Sequence, residues 1–202
     1  MSAPEVVVFD LGKVLVDFDY SIASRRIAER GTVDPRAVQN FIDHSPLLYR
    51  YETGLIDQQQ FFNEVRAMTG FKGNLNEFAR FFADIFTEIP EMVALHRRLR
   101  DAGVPTFIFS NTNDLAIGHI RRNFPFFAHF DAHVLSYKHG AMKPDPKLYE
   151  VVERVTGRRG GGLLYLDDRI ENIDAGRARG WQTIHHRDAA ESIAVVEKLG
   201  LV

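Results

Sequence analysis

The sequence predicts an α/β fold: a doubly wound parallel sheet of Rossmann-like type, with a small helical unit inserted after the first strand. Three observations carry this. A short, unalternating apolar run stands near the start of the chain, "VVVFD". From about residue 90 onward, similar runs alternate with amphipathic helical patterns. The stretch between these zones reads as helix throughout. Strand–helix alternation implies parallel strands with helices on both faces, because a crossover helix must separate consecutive parallel strands.

The first strand is expected over residues 6–9, where β-branched residues run without polar alternation, as in a strand buried on both faces. Further strands are expected over 104–109, 132–135, 163–166 and 181–184. Helices should fill 91–102, 114–123, 146–156, 170–179 and 189–199. Pro90 suits the first position of the first of these, and Gly103 suits its end. In the middle zone, Phe61, Phe62, Val65 and Met68 follow helical spacing, and so do Phe78, Phe81, Phe82, Ile85 and Phe86. "GFKGN" separates these two patterns as a loop. Shorter helices are expected over 21–30 and 35–42, the latter opened by Asp34-Pro35. The expected division is therefore a core of residues 1–18 plus 90–202 and a helical unit of residues 19–89. The phenylalanine stripes read as packing surface.

With 202 residues, the chain is long enough for one full domain plus a modest insert. A net charge of −2 gives no electrostatic reason to expect a nucleic-acid partner. No apolar run approaches bilayer length, and the start lacks a secretory pattern, so a cytoplasmic protein is expected. The absence of cysteine excludes disulfides, thiolate metal sites and cysteine nucleophiles. Oligomeric state is not legible.

In open parallel sheets, ligands bind beyond the carboxyl ends of the strands. The first strand delivers Asp10 there, "TFIFSNTND" delivers Ser110 and Asn111, and "LLYLDDRIEN" delivers Asp167 and Asp168. The loop "YKHGAMKPDP" adds Lys143. Singly, each has a plain reading: a polar strand end, a helix cap, a solvated loop lysine. Two adjacent carboxylates ending a buried strand are harder to dismiss, since they repel and call for a cation. Together the set suggests phosphoryl transfer. A carboxylate attacks phosphorus when a divalent metal screens its charge. Asp10, Asp168 and a backbone carbonyl are hard oxygen donors suited to Mg²⁺. Ser110, helix-start amides and Lys143 suit phosphoryl oxygens.

In this order, "VVFDLGKVL", "IFSNT", Lys143-Pro144 and "LYLDDRIEN" resemble the four motifs of the haloacid dehalogenase-like (HAD) hydrolase superfamily. The resemblance covers nearly the whole chain. The helical insert resembles the family's C1 cap, and "YETGLIDQQQFF" resembles the cap of a branch with sugar-phosphate phosphatases that open Asp-x-Gly. The resemblance implies that Asp10 is the nucleophile forming an aspartyl-phosphate. It implies an Mg²⁺ site from Asp10, Asp168 and the Gly12 carbonyl, with Asp167 supporting Lys143 or a metal-bound water. Ser110 and Asn111 would contact phosphate, and Lys143 would steady nucleophile and phosphate. The expected substrate is a small soluble phosphomonoester, a sugar phosphate among the candidates.

The departure is Gly12. Many phosphatases of the family place there a second Asp that protonates the leaving group and later activates water, and losing such a group costs roughly 10²–10⁴ in rate. Three readings stand: a phosphatase for undemanding leaving groups, a metal-independent 2-haloacid dehalogenase, or a binding protein without turnover. The acidic pair favours the first. Lys13 or a cap residue is a candidate proton donor, and Tyr49, Tyr51 and Glu52 are candidate substrate contacts in the cap. The glycine run at 160–162 precedes a strand and so is no dinucleotide loop. His185 and His186, adjacent on a strand, point to opposite faces and do not share an ion.

Overall fold

A computed structural model describes residues 3–202, the side chain of Asp43 excepted; residues 1 and 2 of the expected core lie outside the described residues. Five parallel strands form one sheet: β1 (Val6–Phe9), β4 (Thr106–Ser110), β5 (Ala132–Leu135), β6 (Leu163–Asp167) and β7 (Gln182–His185), in the spatial order β5-β4-β1-β6-β7. Side chains alternate across each strand, so the sheet feeds two cores. Val7, Phe9 and Ile108 pack on one face, with Met92, Leu95 and Leu99 of α6 (Pro90–Asp101), Ile117 and Ile120 of α7 (Asp114–Asn123), and Val196 of α10 (Ala189–Lys198). Val8, Phe107 and Phe109 pack on the other, against Leu148 and Val152 of α8 (Pro146–Thr156) and Ile173 of α9 (Ile170–Ala178). This is the doubly wound α/β architecture.

The helical zone contains α1 (Tyr20–Glu29), α2 (Pro35–His44), α3 (Pro46–Glu52), α4 (Gln58–Thr69) and α5 (Leu75–Ala83). It has its own core, in which Phe78 stacks on Phe82, Phe61 meets Phe82 edge to face and Phe62 meets Phe78 at a tilt. The phenylalanine stripes are thus packing surface. Each helix has a stated start. Asp19, Asp34, Ser45, Asp57 and Asn74 each accept a hydrogen bond from a first-turn amide, and Asp57 with Gln60 completes a capping box. α6 starts with Pro90 in its first turn, and Gly103 follows its end at φ +78°.

Two strands absent from the sequence reading join the helical zone to the sheet. β2 (Val16–Phe18) pairs antiparallel with β3 (Phe86–Glu88), with Val16 opposite Glu88 and Phe18 opposite Phe86. The two connecting segments therefore run side by side, directly after the turn that follows Asp10. That turn is tight. Lys13 takes φ +59°, a left-handed conformation uncommon outside glycine. No helix among the described residues is long and apolar enough to cross a membrane.

Candidate active site

β1 lies between β4 and β6, and the chain leaves it in opposite directions across the sheet. The carboxyl ends at this point border the crevice where open α/β sheets bind ligands. A cavity of about 230 Å³ lies there. Asp10, Gly12, Ser110, Asn111, Lys143 and Asp168 all line it. Asp167 sits beneath, fully buried.

Lys143 organises the charges. Its Nζ is 2.9 Å from Asp10 Oδ1 and 2.6 Å from Asp167 Oδ2, and it donates to the Phe109 carbonyl at 2.9 Å. Burial pushes the ammonium pKa down, but Asp10 and Asp167 outweigh this and hold it above its ordinary value. Burial pushes the Asp10 carboxyl up, and Lys143 pulls it back in part. The Leu11 amide also donates to Asp10 Oδ1 at 2.6 Å, fixing the carboxylate against the backbone.

The adjacent aspartates differ sharply. Asp167 accepts from Lys143, from the Tyr165 hydroxyl, from the Arg169 amide at 2.8 Å and from Asn172 Nδ2 at 3.0 Å. It is saturated. Asp168 is half-buried in the cleft, and burial followed by the neighbouring Asp167 charge raises its pKa. Strand alternation explains the split, since consecutive residues at a strand end face opposite ways.

One oxygen each from Asp10, Asp167 and Asp168 falls within a sphere where all lie within 4.8 Å of one another. A cluster of hard carboxylate oxygens, open on the cleft side, fits Mg²⁺, which binds through one or two carboxylates and keeps several waters. Charge points the same way. The buried Asp10–Lys143–Asp167 group carries one more negative than positive charge, and Asp168 adds another.

Asn111 lines the cleft, with its side chain turned to the lysine's backbone. Its Nδ2 donates to the Lys143 carbonyl at 3.0 Å, and its Oδ1 accepts from the Lys143 amide at 2.7 Å. Both ends of the side-chain amide are used on the lysine's backbone, so this side chain braces Lys143. Ser110 Oγ reaches the Asn111 carbonyl at 3.3 Å from a buried position in the cleft wall. Lys13 is also committed: its ammonium pairs with Asp17, donates to the Phe18 carbonyl at 3.0 Å and lies 4.7 Å from the Phe18 ring centre. His185 and His186 go separate ways, to the Asp168 carbonyl and to Ser192.

Two further residues line the cleft: Glu52, a candidate substrate contact in the sequence, and Asn113, which had no local signal. Glu52, at the end of α3, lines the cavity from the helical side; burial pushes its carboxyl up to about 7, opposed by Asn113 and Arg169. Asn113 is fully buried and also lines the cavity. Of the other cap candidates, Tyr49 is exposed, while Tyr51 is buried and stacks on Phe61.

A sheet of this order, with an acidic strand-end cluster around a buried lysine and a helical insert after β1, defines a class, and the chain belongs to it. The family model described as haloacid dehalogenase-like hydrolase matches residues 4–180. Among curated relatives, the chain is 21% identical to a D-ribitol-5-phosphate phosphatase of Bacteroides thetaiotaomicron, over 92% of this chain and 93% of that protein. It is 27% identical to the pyrimidine 5′-nucleotidase YjjG of Escherichia coli, over 93% of this chain and 90% of that one. A crystal structure of a HAD family enzyme from B. thetaiotaomicron in complex with magnesium superposes with a TM-score of 0.80 at 22% identity, covering 92% and 94% of the two chains.

Proposed function

We propose that this hydrolase is a magnesium-dependent phosphatase of small soluble phosphomonoesters, acting through an aspartyl-phosphate on Asp10. The observation that carries this reading is the Lys143 ammonium 2.9 Å from Asp10, in a cleft that Asp168 also lines. Asp10 and Asp168, with the Gly12 carbonyl, would hold Mg²⁺. When bound, the ion screens the nucleophile's charge against that of the phosphate and stabilises charge on the phosphoryl oxygens.

The chain's own residues supply the rest. Lys143 favours the ionised form of Asp10 and orients it, and its positive charge extends to the phosphoryl group. Ser110, which also lines the cleft, offers its hydroxyl to a phosphoryl oxygen. Asp10 Oδ attacks phosphorus, the bond to the leaving oxygen breaks with its electron pair, and water later cleaves the acyl-phosphate to return the Asp10 carboxylate and inorganic phosphate. Asp167 holds Lys143 and does not touch the substrate. The helical unit acts as a cap whose closure excludes water from competing steps. A cavity of about 230 Å³ favours small esters over macromolecular ones. The sugar-phosphate reading draws on the ribitol-phosphate phosphatase relative and on the cap motif.

The test is phosphate release from a panel of sugar, polyol, nucleotide and p-nitrophenyl esters, with Mg²⁺ and with chelator, against an Asp10→Asn control. Metal-dependent release that vanishes in the control is expected. Release that survives in Asp10→Asn, or none from any ester, overturns the proposal. Chloride release from 2-chloropropionate without metal would reassign the site as a dehalogenase.

A further inference from the structure

Gly12 leaves the phosphatase reading without a proton donor, and the structure offers a replacement. The cleft is lined by three carboxyls, Asp10, Asp168 and Glu52. The first two are the proposed nucleophile and metal ligand. Glu52 stands apart from both, on the helical side. We infer that Glu52 is the general acid and base of this active site, entering from the cap because the residue two positions after the nucleophile, Gly12, is a glycine. This rests on the phosphatase reading and deepens it.

The geometry holds Glu52 in place from both sides. Tyr51, immediately before it, donates its hydroxyl to Asp114 at the start of α7, across the boundary between helical unit and sheet. Gly54, two residues after it, lies so close to the Tyr137 backbone that an added Cβ would sit 2.2 Å from the carbonyl oxygen. Both anchors bind the end of α3 to the core, and the carboxyl between them is fixed over the cleft. Thr53, which follows the last residue of α3, donates its Oγ1 back to the Tyr49 carbonyl at 2.7 Å.

The surroundings suit the chemistry. Burial raises the Glu52 carboxyl to about 7, against the opposing pull of Asn113 and Arg169. A catalytic group that must give a proton in one step and take one in the next works best when its pKa is near the working pH. Asn113 stands beside this carboxyl. Its Oδ1 caps α7 by accepting from the Ala116 amide at 3.0 Å, and its buried side-chain amide faces Glu52 and favours the ionised form. Lys13 does not compete for the role, since its ammonium is held by Asp17 and the Phe18 carbonyl.

The proton balance closes. As Asp10 Oδ bonds to phosphorus and the ester P–O bond breaks, the departing oxygen takes the electron pair and the Glu52 proton, leaving as an alcohol. Glu52, now a carboxylate, removes a proton from water as its oxygen bonds to phosphorus. The bond from phosphorus to Asp10 breaks, its pair returns to the Asp10 carboxylate, and Glu52 ends protonated.

The test compares Glu52→Gln with the unaltered protein on two substrates: the fastest alkyl phosphate of the panel and p-nitrophenyl phosphate, whose leaving group departs without a proton. The variant should lose roughly 10²–10⁴ in rate on the alkyl ester. On p-nitrophenyl phosphate it should release one equivalent of nitrophenolate per site in a burst, then turn over slowly, because the first step no longer needs the acid while the second still needs the base. Equal loss on both esters without a burst, or rates within threefold of the unaltered protein on both, overturns the inference. Normal steady turnover of the nitrophenyl ester also overturns it, since the base role would be absent. If the variant does not fold, a leaving-group series on the unaltered protein decides: rates nearly independent of leaving-group basicity are expected, and a steep fall with basicity overturns it. An unaltered protein with no activity above Asp10→Asn removes the phosphatase reading and this one together. An active protein indifferent to Glu52→Gln removes this one alone.

Discussion

Lys143 Nζ lies 2.6 Å from Asp167 Oδ2, both fully or almost fully buried, and the same nitrogen is 2.9 Å from Asp10. A buried ion pair contributes little by its presence, but breaking one strands a charge and costs about 3–5 kcal/mol. Lys143→Met should therefore lower stability by roughly that much, besides abolishing hydrolysis. Denaturant unfolding at pH 7 checks it. The double variant Lys143→Met with Asp167→Asn should recover part of the loss, because the stranded carboxylate is gone. A single variant as stable as the unaltered protein would mean that the triad is not a structural element.

The same geometry separates the two aspartates. Asp168 faces the cleft and Asp167 faces Lys143, so Asp168→Asn should raise the Mg²⁺ concentration for half-maximal activity at least tenfold while leaving the unfolding midpoint almost unchanged. Asp167→Asn should do the reverse in the first instance, lowering stability by about 1–3 kcal/mol through lost charge-assisted hydrogen bonds. Magnesium titration of activity, paired with melting curves, distinguishes them. Equal effects of the two variants on metal dependence would contradict the division.

The roles of this pair illustrate what the sequence shows and what it hides. Asp167-Asp168 at a strand end was legible as an acidic site, because carboxylates closing a buried apolar run are rare without a partner. Which one met the lysine was indicated only by the family resemblance and not by the residues themselves, since that depends on which face of β6 turns toward a loop more than twenty residues away. Asn111 is a similar case: its type suggests phosphate, but its amide is taken by the Lys143 backbone, a pairing visible only once β4 and that loop are adjacent. The core strands read well because each is a continuous apolar run. β4 begins at Thr106, two residues later than the run itself, because Pro105 has no amide to donate to the ladder. β2 and β3 escaped altogether. Three residues carry no period, and their partners are some seventy positions apart. α3 is two turns long, and without it Glu52 has no assigned place in the cleft.

Gly12 has a steric reason to be glycine. A Cβ built there would sit 2.8 Å from Phe18 Cε1, a ring that also meets Tyr20 and Phe86 edge to face. Gly12→Asp should thus not install a working acid. It should lower stability by about 1–3 kcal/mol, the usual range for an overpacked site, and should not raise the rate on alkyl phosphates. Adding Phe18→Ala should relieve the clash and recover part of any activity lost in Gly12→Asp. Melting temperature and steady-state rates on one alkyl ester are sufficient; a stable, faster Gly12→Asp would show that the ring yields without cost.

His96 should make the protein sensitive to mild acid. It is buried, stacks on Phe130 at 3.8 Å between ring centres and meets Thr106 Oγ1 at 3.2 Å. Burial, helped by Arg100 and His129, pushes its pKa from 6.5 down to about 4. Above pH 6.5 the ring is neutral in both folded and unfolded chains, and its full contribution is present. As pH falls below that value, the unfolded chain binds a proton that the folded chain refuses, so stability drops by about 1.4 kcal/mol per pH unit. By pH 4 the loss attributable to this residue is about 3 kcal/mol. Other groups titrate in the same window, including His133 and His186, whose pKa values burial also lowers. A difference experiment isolates His96. His96→Phe keeps an aromatic ring against Phe130 but cannot take up a proton, so its unfolding free energy should fall less steeply between pH 6.5 and 4 than that of the unaltered protein, whatever its absolute stability. Two profiles with the same slope would show that the ring is reached by solvent and titrates in the folded state.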